Sequence, residues 1–415
     1  MLDLLLTQVR LQNETRLMDI GVRQGKIEYL APSGSEFVPE AQLIELAAGG
    51  MLLPGFVEPH IHLEKSYLLS RMTQEAASLS EAIRMTADMK HDFTPADMKS
   101  RSLAVIREAI RSGATHMRCH VEVDPILGLT AFEAVLELKE KVKHALDIQI
   151  VVFPQEGIFK SPGTAELMDE AMRSGGDVVG GITYQDDNLE AHLQYVFELA
   201  EKYGKPIDFH ADFSDNPEQL AINKIADRTI AAGMQGLVSA GHVTSLGSLE
   251  RRQAEVVADL IKEADLHIMT LPATDLFIGG RGDQEKQRRG LTPVGMLLEK
   301  GVNVVVGVNN IRNPFTPFGK ADPLEIAWLL AVTAYMGGEG DARQLIKMLT
   351  VGAARALGIK SYGLQLGSEA DMVLFAEPSE RDILLGKPEH RTVWKRGVKV
   401  AETRVTSSLQ GFLQA

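Results

Sequence analysis

The residues most able to do chemistry lie in one run, Pro54-Gly-Phe-Val-Glu-Pro-His-Ile-His-Leu-Glu-Lys65. An apolar stretch from Met51 to Val57 leads into His60 and His62. Side chains two apart on a strand point to the same face. If the stretch ends a strand, both imidazoles enter one space, and paired neutral imidazoles suit zinc, iron or a similar divalent ion. His120, His210 and His242 close apolar runs of the same kind, so five of the eleven histidines sit at run ends.

Elements that would position them can be read in order. Residues 1 to about 50 hold short strands, Leu2–Leu11, Leu17–Val22 and Lys26–Leu30, the last two around a turn at Gln24-Gly25. From Met51 onward, eight β-like runs alternate with helix-like ones: Leu52–His62, Ala114–Val123, Ile148–Phe153, Val178–Thr183, Pro206–His210, Gly236–His242, His267–Leu271 and Val302–Val308. The intervening stretches include Ala131–Ala145, Pro162–Ser174, Leu189–Tyr203, Pro217–Ala232 and Leu249–Ala264, with Pro162 and Pro217 expected at first helical positions. This alternation predicts a parallel (β/α)8 TIM-like barrel. An open doubly wound sheet is the runner-up, but no glycine-rich turn follows the first strand. Gly279-Gly280-Arg281-Gly282 reads as a pocket loop, since no Lys-Ser/Thr follows it. Helices are expected over Asp322–Tyr335 and Ala342–Leu357, then strands over Ala370–Phe375 and Arg391–Val400. Neither β-rich end can bury a face alone, so residues 1–54 and 360–415 are expected to form one composite β-sandwich domain beside a barrel over 55–359.

Such barrels carry catalytic groups at the C-terminal ends of their strands. There the chain places His60, His62 and then Lys65, His120 with Glu122, Gln155 with Glu156, His210 with Asp212, His242, and Asn309 with Asn310. Five histidines converging on one rim form a metal-site pattern.

With a formal net charge of −13 and a pI of about 5.4, the chain is a poor match for nucleic acid or an anionic membrane surface. Cys119 is the only cysteine, which rules out an intrachain disulfide and a cysteine-based zinc site. The opening Met1-Leu-Asp-Leu-Leu-Leu has no basic leader, and no apolar run is long enough to span a bilayer. A cytoplasmic enzyme is the expectation, with its oligomeric state left open and a homo-oligomer among the options.

Five motifs resemble the amidohydrolase superfamily, in its cytosine deaminase and N-isopropylammelide isopropylaminohydrolase-like branch. They are Pro54 to His62, Phe153-Pro-Gln-Glu-Gly-Ile158, Asp208-Phe-His-Ala-Asp212, Ser239-Ala-Gly-His242 and Gly290-Leu-Thr-Pro293. Their order and spacing run over nearly the whole chain, and Lys65 looks closer to the second subgroup. The resemblance implies a metal-dependent hydrolase of a C–N bond, a deaminase or N-dealkylating enzyme, acting on a small nitrogen heterocycle or cyclic amide. It implies His60, His62 and His210 as ligands of one divalent ion, zinc or iron. It gives His242 a role in orienting or polarising substrate and water, Gln155 the ring edge, and Lys65 a substrate contact.

Two positions depart from the family pattern. Asn309 stands where the family has a metal-binding, proton-accepting aspartate, and Phe213 where the deaminases have a glutamate proton shuttle. An amide oxygen can still be a ligand but is no base, and without an anionic ligand the ion's occupancy is expected to be partial. The alternative reading is therefore a catalytically impaired binding protein derived from such an enzyme. Among nearby carboxylates, Glu122 and Asp275 read as supporting or salt-bridging residues, Glu64 is left open, and Asp212 is placed facing the pocket. Arg281, Arg288, Arg289 and Arg312 are either anion-binding loop residues or a solvated run.

Overall fold

A computed structural model describes residues 1–285 and 288–408. Strands are numbered in chain order: β1 Leu2–Val9, β2 Met18–Arg23, β3 Lys26–Pro32, β4 Ala41–Leu46, β5 Leu52–Pro54, β6 Phe56–Ile61, β7 Ala114–Glu122, β8 Asp147–Phe153, β9 Val178–Ile182, β10 Ile207–Ala211, β11 Val238–His242, β12 His267–Thr270, β13 Asn303–Val306, β14 Met372–Phe375, β15 Arg391–Lys395 and β16 Val398–Thr403.

Eight strands, β6 to β13, lie side by side in sequence order, each parallel to the next. The sheet closes on itself where Asn309 N–H donates to the His60 carbonyl at 2.8 Å and His62 N–H donates to the Asn309 carbonyl at 2.9 Å. This is the (β/α)8 barrel that the alternation predicts. Helices cover one face of each strand and the lumen fills the other, which is why β6, β7, β9, β10, β11 and β12 are buried along their whole length and read as near-continuous apolar runs.

The run Leu52–His62 is two strands. Gly55 breaks it, because a Cβ there would sit 2.3 Å from the Thr115 methyl. β5 leaves the barrel and pairs antiparallel with β14, in the sheet ordered β16-β15-β14-β5. The N-terminal sheet is ordered β3-β2-β1-β4, and β4, parallel to β1, escaped the sequence reading. Its outward residues Leu43, Ile44 and Leu46 are exposed, so no clean apolar alternation marks it. Leu4, Leu6, Ile20 and Val22 from the first sheet share one core cluster with Leu52, Met372 and Trp394 from the second. The expected composite domain extends to residue 415, and its last seven residues, 409–415, lie outside the described ones.

Both expected proline starts are corrected. Helix Thr164–Arg173 begins after Gly163, and helix Ala221–Ala231 after Leu220, leaving Pro162 and Pro217 in the preceding loops. Proline does open the helices Pro95–Arg111, Pro272–Ile278 and Pro323–Thr333, where its missing N–H costs nothing. The expected helix over Ala342–Leu357 is two, Glu339–Leu349 and Val351–Ala356, split at Thr350. Helices Leu79–Lys90 and Pro95–Arg111 between β6 and β7 had not been assigned.

Buried ion pairs fasten the C-terminal strands to the barrel. Arg391 on β15 makes a bidentate pair with Asp322 at 2.8 and 2.9 Å, the geometry that suits a guanidinium. Lys395 reaches Asp371 at 2.6 Å and Asp147 on β8 at 2.7 Å. His116 lies beside that ammonium, and burial with Lys395's charge lowers its pKa to about 4; burial does the same to His267. Both are neutral in the fold, whereas the unfolded chain protonates near 6.5. Their stabilisation is thus fully present above pH 6.5 and is lost as pH falls toward 4, on the order of 3 kcal/mol each. Urea unfolding at pH 7 and pH 4.5 should show this acid limb, and the double variant His116→Gln, His267→Gln should flatten it.

Candidate metal centre and substrate pocket

The period of two along the barrel strands stacks polar side chains in the lumen. β6 and its end contribute Glu58, His60 and His62; β7 Arg118, His120 and Glu122; β10 Asp208 and His210; β11 ends on His242. Neighbouring glycines make room for the rings. A Cβ on Gly241 would lie 2.9 Å from His60 Cε1, so only glycine on β11 lets that imidazole lie flat against the strand.

His60, His62 and His210 converge. Nε2 of His210 is 3.2 Å from Nε2 of His60 and 3.2 Å from Nε2 of His62. All three are buried. Burial, the largest cause, together with neighbouring histidines and, for His60 and His62, Lys65, lowers each pKa well below 6.5. They are therefore neutral imidazoles, the protonation state a metal requires. Phe153 stacks on His210 at 4.1 Å between centroids. Nδ1 of His62 faces the His120 carbonyl at 3.2 Å.

His242 stands next to this group, close enough for one ring nitrogen to share a ligand set with His60 and His210. Its Nδ1 donates to Asp275 Oδ1 at 2.6 Å, which sets the tautomer and leaves Nε2 as the lone-pair atom. Burial raises the Asp275 pKa against the pull of His242. Phe213 lies flat on His242, 4.0 Å between centroids with 7° between planes. It separates that ring from a mouth cavity of about 520 Å³, walled also by Tyr184, Ile278 and Gln219. His120 sits lower, its ring 3.9 Å from His60 and its Nε2 3.3 Å from Asp208 Oδ1, while Asp208 is held by Arg118 at 2.9 Å.

Asn309 has φ +65° and closes the barrel through its backbone. Its amide orientation follows from a chain of asparagines. Asn313 Oδ1 accepts the Phe315 and Thr316 N–H groups, so its Nδ2 donates to Asn310 Oδ1 at 2.8 Å. Asn310 Nδ2 in turn donates to Asn309 Oδ1 at 2.9 Å. Asn309 Nδ2 is thereby left buried with no partner. The amide oxygen pictured as a ligand thus already accepts one hydrogen bond, and the amide offers an unused donor.

Lys65 is buried, 1% exposed. Its ammonium donates to Glu122 Oε1 at 2.7 Å and Gln155 Oε1 at 2.8 Å. Glu122 is also gripped by Lys90 at 2.6 Å, and Lys90 contacts Asp124 at 2.7 Å and Glu156 at 2.8 Å. The two lysines pull the Glu122 pKa down to about 2 against the cost of burial. Glu64 is buried without a side-chain partner, and burial and then Glu122 push it up to about 7. Lys90 is the keystone of four buried charges. Lys90→Met would leave Glu122 with Lys65 alone and take the ammonium from Asp124 and Glu156, and should cost about 3–5 kcal/mol of stability in urea unfolding.

One expectation is corrected, and the four arginines are exposed, in keeping with the solvated alternative. Asp212 turns away from the pocket: it accepts the Ala221 and Ile222 N–H groups at the start of helix Ala221–Ala231, and burial raises its pKa to about 7. The arginines tie loops together. Arg281 donates to the Phe277 and Ala76 carbonyls, Arg288 to Asp283 and the Asp215 carbonyl, Arg289 to the Thr333 carbonyl and Arg312 to the Gly319 carbonyl. Glu58 and Asp208 were missed, although each lies two residues before a named histidine and so shares its face. Burial raises the Glu58 pKa to about 8, and its Oε1 accepts the His60 and Val308 N–H groups. For Lys90, on an unassigned helix, the sequence carried no such signal.

A barrel with imidazoles gathered at its C-terminal rim and an added sheet domain from both chain ends defines a class. Residues 93–401 match the model of the Amidohydrolase family, and the chain belongs to that family and so to the hydrolases of carbon–nitrogen bonds. It is 27% identical to N-isopropylammelide isopropyl amidohydrolase of a Pseudomonas species, over 97% of this chain and 98% of that one. It is 27% identical to pterin deaminase of Rhizobium rhizogenes, over 91% and 86%. Among solved structures, 5-methylcytosine deaminase of Klebsiella pneumoniae, liganded with 5-fluorocytosine, superposes with a TM-score of 0.92 at 28% identity, covering 98% of this chain and 99% of that one. Among the described residues, no helix is long and apolar enough to cross a membrane.

Proposed function

We propose that the chain is a metal-dependent hydrolase that releases an amine or ammonia from a small nitrogen heterocycle or cyclic amide. The observation that carries this reading is the convergence of three neutral imidazole Nε2 atoms, His210 lying 3.2 Å from both His60 and His62. Ligands about 2.0–2.1 Å from a tetrahedral zinc lie roughly 3.3–3.4 Å apart, close to the two His210 contacts, and ring nitrogens of His60, His210 and His242 also lie within 4.8 Å of one another. Lone pairs brought this close with no cation or proton between them would repel. His60, His62 and His210 would hold one divalent ion, zinc or iron. When bound, it would polarise the electrophilic carbon and acidify water.

The protein's own groups complete the reading. Gln155 and Lys65 hold the ring edge. His242, fixed by Asp275, presents Nε2 to the reacting centre. Phe213 and Phe153 flank the histidines and exclude water, which strengthens every polar contact inside. Relatives named for reactions at the C–N bonds of heterocycles support the assignment; nothing favours a non-catalytic binding protein. We further propose the division into a barrel over 55–359 and a composite β domain of 1–54 and 360–415, and a cytoplasmic setting.

The test is metal analysis of the purified protein, followed by a hydrolysis screen over aminated and N-alkylated pyrimidines, triazines and pterins. Bound zinc or iron, at partial occupancy, and amine release from at least one class are expected. A folded, metal-loaded protein inert across the panel would refute the reading.

A further inference from the structure

Along β11 the strand period puts Ser239 and Gly241 on the lumen side. The Ser239 hydroxyl lies 3.4 Å from the Arg118 guanidinium, and a Cβ on Gly241 would run into the His60 ring. Val238 and Ala240 face the helix layer and belong to the main core. The next residue on that outward side is His242. Its imidazole nevertheless stands at the rim, with ring centres 6.0 Å from His60 and 5.3 Å from His210. The backbone makes the difference. His242 has φ +71° and Val243 φ +53°, a left-handed conformation that L-residues avoid, β-branched valine above all. Such strain persists only where neighbours over-determine it, and it is a pointer to function. Here two sets of bonds hold the turn. Val243 N–H donates to the Ala211 carbonyl at 2.9 Å, and the Thr244 and Ser245 N–H groups donate to the Asp212 carbonyl at 3.0 and 3.1 Å. Asp212 is itself fixed through its carboxylate at the start of helix Ala221–Ala231. At His242, the Thr292 hydroxyl donates to the backbone carbonyl at 2.6 Å. Thr292 is buried and arrives on the segment Gly290-Leu-Thr-Pro293. That segment docks closely because Gly247 has no side chain: a Cβ there would lie 2.4 Å from the Leu291 carbonyl oxygen.

We propose that Thr292 is a positioning residue for His242. Its hydroxyl holds the His242 carbonyl where the left-handed turn puts it, and so keeps the imidazole at the rim instead of on the outward side that the strand period assigns it. Without that bond the extended backbone regains its advantage. The ring then loses its fixed approach to Asp275, 2.6 Å from Nδ1, and Nε2 loses its aim. What the position needs is a hydroxyl donor, not the bulk of threonine, so serine serves there and valine does not. Gly247 acts one step further back, by letting the segment that carries Thr292 reach the turn. The proposal rests on the reading above, in which His242 serves the reacting centre.

The experiment uses the zinc-loaded full chain with isotope-labelled histidine. The proton on His242 Nδ1, buried in its short bond to Asp275, should give a downfield resonance, assigned by its loss in His242→Gln. Thr292→Val is nearly isosteric but has no donor, and that resonance should shift or vanish in it; Thr292→Ser should keep it. For any substrate found in the hydrolysis screen, kcat of Thr292→Val should fall about tenfold or more with KM near the native value, as expected when a reacting group is misplaced, and Thr292→Ser should restore it. Gly247→Ala displaces the Thr292 segment without touching the hydroxyl; it should act as Thr292→Val does, and it decides if that variant does not fold. A native resonance in the deciding variant overturns the proposal, as does a serine variant that fails as valine does. Absence of the resonance from the native protein would show that the ring is not held, and overturns it too. If the native protein hydrolyses nothing in the screen, the hydrolase reading fails, and the resonance by itself still decides what holds His242.

Discussion

Replacing His210 with alanine is expected to leave a folded protein that no longer retains its ion. Nε2 of His210 is the vertex shared by the other two ligands, 3.2 Å from each, so its loss leaves two imidazoles, too few for the closed or nearly closed sets that hold zinc tightly. The ring packs on Phe153 and is buried, and truncation opens a cavity that costs stability but not the fold. Metal content after gel filtration should fall from the native level to near zero. With the ion's charge stabilisation gone, worth several kcal/mol, hydrolysis should drop on the order of 10³-fold or more. His120→Asn is the control. His120 stacks on His60 at 3.9 Å, but its Nε2 is directed to Asp208, so that variant should keep its metal. Full metal content in His210→Ala, or loss in His120→Asn alone, would reassign the ligand set.

Much of the barrel was legible because parallel strands covered on both faces are plain apolar runs, and the histidines stand out at their ends. What escaped had no period to reveal it. β4 exposes Leu43, Ile44 and Leu46, so it lacks the alternation of a half-buried strand. Gly55 splits one continuous apolar run because of a contact with Thr115, sixty residues later in the chain. The place of Asp212 was misjudged for the same reason. Whether a lysine is solvated or buried against Glu122, and whether an aspartate faces a pocket or caps a helix at Ala221 and Ile222, depends on partners distant in sequence or on a loop path. Strand periodicity, by contrast, would have identified Glu58 and Asp208 had it been carried two residues back from each histidine.

The second large effect is expected at Asn309. Its Oδ1 is committed to Asn310 and its Nδ2 is buried without a partner. Asn309→Asp keeps the oxygen that Asn310 needs and exchanges the orphaned donor for a second oxygen beside the histidines. In the metal-free protein this buries a carboxylate among neutral imidazoles, with no counter-charge, so the metal-free variant should be less stable than the native protein. With the ion present the sign reverses. A charge–charge attraction is added where only neutral ligands stood, and affinity for the cation should rise. The stabilisation gained on adding metal should therefore be larger in the variant, as linkage requires when Kd falls. A carboxylate here can also take a proton from water. General-base help is worth on the order of 10²–10⁴-fold, so hydrolysis of any substrate the native protein turns over by the family's route should increase, up to that range. Phe213 stacked on His242 offers no proton in compensation, which makes Asn309 the decisive position. If the native protein proves fast and Asn309→Asp slows it, the neutral amide belongs to a different mechanism, in which its free N–H group contacts the substrate. The ligand set of His60, His62 and His210 would survive that result; the roles carried over from the deaminases would not.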